Sequence, residues 1–249
     1  MKKAAIVLVV LVGLLVAADF GTAAAAEYQV SKRLRGHLNL PDDPAVRIHG
    51  FPFLLQAFAG DYRDVEVNAD GVTVARLRNL GVEATLHHVR VPFSELVSGS
   101  VQTVRIDEVV GRVRVRAAEL KQLINVDDLR VEKVTDRDRD AAGQKVPDNA
   151  VKLSGSTDIA GLRTAVTVIA SLELVDGQVQ VQAHTVKVDG QTLPPAVEQT
   201  VLRLFTARLD PGSLPFNVTP TAVSADDGAL VVEGTARDVV LNTAGAAGG

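Results

Sequence analysis

Five histidines, three aspartate doublets and an alternating row of arginines are the side chains best able to do chemistry in this 249-residue chain. His37, His49, His87, His88 and His184 show no zinc spacing such as His-Glu-x-x-His. His87 and His88 are adjacent, so a strand would point them to opposite faces. There is no cysteine, which excludes disulfides, thiolate nucleophiles and Cys-ligated metals. No Gly-x-Ser-x-Gly elbow, Walker loop or dinucleotide loop occurs. Asp42-Asp43, Asp127-Asp128 and Asp226-Asp227 sit among turn or strand-edge residues, where solvated loops are the ordinary reading. Asp136, Asp138 and Asp140 alternate with Arg137 and Arg139, and these arginines oppose calcium. The sequence therefore predicts no catalytic residue, no metal and no cofactor.

Two patterns remain. Arg112, Arg114 and Arg116 alternate with Val113 and Val115. That is either a solvated strand face or a cationic rim for phosphate headgroups, since Arg pairs two phosphate oxygens at once. The second pattern is the stretch from His49 to Gly60, with three of the seven phenylalanines. Pro52 suits a first helical turn, Phe51, Leu54, Leu55 and Phe58 recur at helical spacing, and Gly60 is a C-terminal stop. Such a helix plugs a core or closes one end of an apolar cavity; periodicity does not choose.

The elements that must position these residues read as α+β with a mainly antiparallel sheet. The chain is 47% hydrophobic but 4% aromatic, so Val, Leu and Ala fill its core. Formal net charge is −4, which argues against non-specific nucleic-acid binding. Lys2 and Lys3 precede 15 apolar residues, Ala4 to Ala18. That run is short for a spanning helix and fits a signal peptide over residues 1–26, with Ala23 to Ala26 for cleavage. The helix can equally continue through Leu34 as an uncleaved anchor. Either way the basic start stays inside and residues 20–249 lie outside, in the periplasm or cell envelope.

Residues 27–38 predict an amphipathic helix with Tyr28, Val30, Leu34 and Leu38 inward. A short strand follows at 45–49. Long strands follow the Phe-rich helix, with hairpin signals at Asp70-Gly71, Asp176-Gly177 and Asp226-Asp227-Gly228. The polar stretch 135–149 is the one candidate subdomain boundary. Leu193 to Leu209 predicts a helix with a stripe of Leu193, Val197, Val201, Leu204 and Phe205. Residues 242–249 read as a disordered tail after a single domain over 27–241.

The run Gly50-Phe51-Pro52-Phe53-Leu54-Leu55-Gln56-Ala57-Phe58-Ala59-Gly60, followed by Val65-Glu66-Val67, resembles the LmeA family of actinobacterial envelope phospholipid-binding proteins. Val91-Pro92-Phe93, Leu193-Pro194-Pro195, Leu214-Pro215-Phe216 and the strand region Gly228 to Leu241 follow in the same order. The resemblance covers residues 20–241. It implies a TULIP-like fold, in which a long curved sheet wraps helices around a lipid tunnel. It implies a non-enzymatic, membrane-associated lipid binder or carrier at the outer face of the cytoplasmic membrane. The implied lipid is anionic, such as phosphatidylinositol, and the process mannan or lipomannan elongation beside envelope glycosyltransferases. On that footing the expected lipid-contacting residues are Phe51, Phe53, Leu54, Leu55, Phe58, Phe93, Leu96, Val197, Val201, Leu204 and Phe205, with Arg112, Arg114 and Arg116 at the headgroup. The rivals are an envelope enzyme acting on glycolipid, which requires a polar cluster in a cleft, and a scaffold for membrane glycosyltransferases, which requires a large exposed apolar patch.

Overall fold

The computed structural model describes residues 2–74, 77–92, 94–95, 101–120, 126–138, 143–147, 149–159, 162–175, 178–192, 208–209, 218–226 and 228–242. The chain is α+β. Helix α1 (Lys2–Leu38) leads to β1 (Ala45–His49), α2 (Phe53–Ala59), β2 (Asp61–Val74), β3 (Leu77–Arg90) and β4 (Thr103–Arg116). A four-residue α3 (Ala117–Leu120) precedes β5 (Asp127–Lys133), β6 (Ala150–Ile159), β7 (Leu162–Val175) and β8 (Gln178–Val188). The short β9 (Gln191–Thr192) and β10 (Arg208–Leu209) and the pair β11 (Thr219–Asp226) and β12 (Ala229–Asn242) complete it.

One antiparallel sheet runs β1-β2-β3-β4-β12-β11. The other runs β10-β8-β7-β6-β5, with β9 on β8. Val175 pairs with Gln178, so Asp176-Gly177 is the whole β7–β8 connection, as the hairpin signal predicts. Asp226 pairs with Ala229, which does the same for the β11–β12 turn.

Two compact units emerge. The first holds Met1–Val72, Val82–Gly111 and Ala236–Gly249; the second holds Thr73–Gly81 and Arg112–Thr235, and includes the polar stretch 135–149. In the second unit Val168, Ile169, Ala170 and Ser171 of β7 are all buried, so this central strand is covered on both faces. Ile169 packs with Val146 and Ala150, while Val168 and Ala170 pack with Val186. Val131, Val151 and Ala225 form a further cluster, with α3 contributing Ala117 and Leu120.

The first unit is held differently. Phe53, Ala57 and Tyr62 form its small cluster, with Ala23 and Ala26 of α1 packed against it. Burial pushes the Tyr62 phenol up from its ordinary value. Gly60 ends α2 in the left-handed region (φ 67°), and a Cβ there would lie 2.7 Å from the Val91 carbonyl oxygen, so only glycine fits.

Three expectations are corrected. Asp70-Gly71 is no hairpin: both lie inside β2, and Gly71 (φ 77°) leaves room for the Pro41 ring, which a Cβ would approach to 2.6 Å. The inward face of α1 is not Tyr28, Val30, Leu34 and Leu38. Tyr28, Val30 and Leu38 are exposed, while Asp19 and Ser31 are buried and Ala23 and Ala26 pack inward. Small residues let α1 approach β1 and α2 closely, and that proximity outweighs aliphatic bulk. Finally, Arg208–Leu209 is not the end of a helix but a strand pairing with Gln180 and Val179.

Candidate functional site

The Phe-rich helix starts without a capping residue of its own. Pro52 occupies the N-cap position in extended conformation, and its side chain has nothing to donate or accept. Asp19 of α1 supplies the cap: its carboxylate accepts the Phe53 N–H at 2.9 Å and the Leu54 N–H at 2.8 Å. Two orphan donors are thereby satisfied by a charged acceptor that is itself 5% exposed.

The same helix closes the open edge of β1. Glu27 accepts the Ile48 N–H at 2.7 Å, and the buried Ser31 hydroxyl donates to the Pro44 carbonyl at 2.6 Å. One turn on, Lys32 and Arg35 both reach Asp43, at 2.7 and 3.2 Å. The hydrogen bond from Lys32 holds the Asp43 carboxyl below its ordinary value, and the same bond raises Lys32. On the far side of α2, Gln56 fixes the preceding turn. Its amide donates to the His49 and Gly50 carbonyls and accepts the Arg63 N–H.

Between α1 and the β1–α2 turn lies a groove of about 370 Å³. Phe20, Ala23, Ala24, Ile48, Phe51 and Phe53 give it an apolar wall, and Asp19, Glu27, His49 and Gly50 line the rest; both Asp19 oxygens and Glu27 Oε1 accept backbone N–H groups. The volume falls in the range of pockets that hold a small ligand. Phe20 stacks on Phe51 with ring centroids 6.0 Å apart. Most of the expected stripe, together with Phe20, is exposed. Phe20 is 62% exposed, Phe51 59%, Leu55 64% and Phe58 68%, with Leu54 half-buried. Phe53 is buried.

Of the residues expected at a lipid, the structure therefore brings together Leu54, Leu55 and Phe58 on α2, Phe51 in the turn before it, and the buried Phe53 in its first turn. Phe93, Leu96, Val197, Val201, Leu204 and Phe205 lie outside the described residues. Asp19, Phe20 and Gln56 belong to the site and were not singled out from sequence. The available signal was the lone charge ending an apolar run and a Pro52 helix start with no Ser, Thr, Asp or Asn before it.

The arginine row lies on β4 and is paired. Arg112 meets Glu233 at 2.8 Å and Arg114 meets Asp226 at 3.5 Å. Asp226 also binds Lys133, whose hydrogen bond holds the Asp226 carboxyl below its ordinary value. The adjacent histidines go to β2: His87 Nδ1 lies 2.5 Å from Asp64 and His88 Nδ1 3.1 Å from Asp61. Among the described residues no group of three His, Cys, Asp or Glu side chains could hold a metal ion. Ser171 and His184 are 2.7 Å apart, but Ser171 is fully buried and so cannot meet a substrate.

A protein-family model described as LmeA-like phospholipid-binding matches residues 17–235, a stretch that takes in Asp19, Phe20 and the whole groove. No curated protein and no solved structure matches the chain.

Proposed function

The chain belongs to the LmeA-like phospholipid-binding family, and from that premise we propose that it is a non-enzymatic phospholipid carrier exported to the outer face of the cytoplasmic membrane. The observation that carries this reading is a juxtaposition: exposed Phe51 just before α2, and Leu55 and Phe58 on it, beside a groove walled in part by Phe20, Ala23, Ala24, Ile48, Phe51 and Phe53. Phe51 belongs to both, so an acyl chain can pass from the stripe into the groove without crossing water.

Each buried CH₂ contributes about 0.8 kcal/mol, so a partly sheltered acyl chain already supplies micromolar-scale binding. In this reading Phe51, Phe53, Leu54, Leu55 and Phe58 receive the chain. By sequence, Phe93, Leu96, Val197, Val201, Leu204 and Phe205 are added as further acyl contacts. Arg112 and Arg114 reach a headgroup phosphate only by releasing Glu233 and Asp226, which gives the arginines the lesser share of affinity. The carried lipid is an anionic glycerophospholipid such as phosphatidylinositol, delivered to glycosyltransferases that elongate mannan or lipomannan. The resemblance in the Gly50–Gly60 run supports that assignment.

Native mass spectrometry of full-length protein purified without detergent tests the reading. A bound mass equal to a phospholipid is the expected result. A lipid-free protein that also extracts nothing from phosphatidylinositol-containing liposomes would overturn it.

A further inference from the structure

Asp19 ends the apolar run of α1 and caps a helix 34 residues further along the chain. Helix α1 is continuous from Lys2 to Leu38 and has the length and composition to cross a membrane. We propose that α1 is retained in the mature protein as a membrane anchor, and that Asp19 locks the ridge of Phe20, Phe51, Leu55 and Phe58 into the outer leaflet of the bilayer that α1 crosses. This extends the folded body back from residue 27 to Asp19. It does not depend on whether a lipid is carried.

Removal of residues 1–26 would strip the folded unit of working parts. It would delete the acceptor of the Phe53 and Leu54 N–H groups, the stacking partner of Phe51, and the Ala23 and Ala26 packing under Phe53 and Tyr62.

The occupant of the ridge follows from lengths. Ala4 to Ala18 rise about 22 Å, against a hydrocarbon core of about 30 Å. A short apolar span is accommodated by drawing its flanking residues toward the membrane. Here the flank is Phe20, stacked on Phe51, with Leu55 and Phe58 exposed along the same short helix. Aromatic side chains are favoured at that boundary. Asp19 is tolerated there because both oxygens accept backbone N–H groups and the residue is withdrawn from the surface. The ridge is continuous with the spanning helix, so the bilayer that holds α1 is the surface that covers it.

Two measurements on the full chain test this. First, the protein is exported in a bacterial host, its membranes are washed with alkaline carbonate, and the retained protein is weighed intact. A mass that includes residues 1–26 is expected; a carbonate-soluble chain starting at or beyond Glu27 overturns the anchor. Second, the chain has no tryptophan, so Phe51→Trp gives a single emitter in vesicles of phosphatidylcholine and phosphatidylglycerol with brominated acyl chains. Tyr28→Trp, about 13 Å further along α1, is the control. Quenching of Phe51→Trp about twofold or more stronger than the control is expected, and Phe58→Trp repeats the reading if Phe51→Trp disturbs packing. Equal quenching at both positions overturns the docking and leaves the ridge to a second copy of the chain or a soluble partner. Adding Asp19→Asn to Phe51→Trp is expected to lower the quenching while carbonate resistance is unchanged. Unaltered quenching would remove Asp19 from the proposal.

Discussion

Helix α2 and strand β7 use their apolar residues in opposite ways. On β7, four consecutive residues from Val168 to Ser171 are buried among neighbouring strands. On α2, the large side chains Leu55 and Phe58 face out, and the buried positions are Phe53, Gln56 and Ala57. The strand is held by packing of aliphatic side chains on both faces. The helix packs one side only, Phe53 and Ala57 against Tyr62, and polar side chains fix its backbone, Asp19 at its start and Gln56 across its preceding turn. An element packed on one side and capped by side chains leaves its other face exposed, and a strand buried on both faces does not.

The largest break in this contrast is Ile169→Ala. Ile169 is 1% exposed and packs with Val146 and Ala150, so the cavity is expected to cost about 2–5 kcal/mol. Urea denaturation measures it, and lipid binding per folded molecule is expected to stay unchanged. A loss under about 1 kcal/mol would mean that β7 is not the packed strand described here. Next comes Phe58→Asp. At 68% exposure it is expected to leave stability within about 0.5 kcal/mol. It removes a side chain whose burial against lipid contributes about 1.5–3 kcal/mol, so liposome affinity falls about tenfold to a hundredfold. Arg114→Ala is smaller still, because an exposed pair with Asp226 is worth about 0–1 kcal/mol. If flotation assays show Arg114→Ala losing more lipid than Phe58→Asp, the contact surface lies on β4 and not on α2.

Most of the strands were legible because alternation and turn chemistry report local geometry. The β1 strand, the Gly60 stop of α2 and the close pairing across β7–β8 and β11–β12 all follow from that, while α2 starts at Phe53, with Pro52 as its extended N-cap and not in its first turn. The site was half legible. The spacing of Phe51, Leu54, Leu55 and Phe58 gives a helical stripe, but periodicity carries no sign, and here the stripe points outward. Its position is set by Asp19, a residue that reads as the end of an apolar run and becomes a cap only through a contact across 34 residues. The Asp70-Gly71 pair misled for a related reason: its glycine serves a close approach of Pro41, which no local pattern announces. The inward face of α1 was hidden because Asp19, Ala23 and Ser31 bury little apolar area.

The smallest effect concerns the clamp that joins α1 to the loop before β1. Lys32 and Arg35 hold Asp43 on the surface, with all three side chains at least a third exposed. The Asp43 carboxyl is depressed, so its contribution is present above the ordinary carboxylate value and is lost as pH falls through its lower folded value. The Lys32 ammonium is raised, so its contribution is present below its ordinary value and is lost as pH rises through its higher folded value. The clamp is therefore closed across the whole neutral range and opens only in acid below the ordinary carboxylate value or in base above the ordinary lysine value. Asp43→Asn is expected to flatten the acid limb of a stability–pH profile and to leave the ridge on α2 untouched, because Asp19 and Gln56 act on separate backbone groups. Membrane quenching of the Phe51→Trp reporter that falls with Asp43→Asn at neutral pH would show that the ridge is held by the whole of α1 and not by its capping carboxylate.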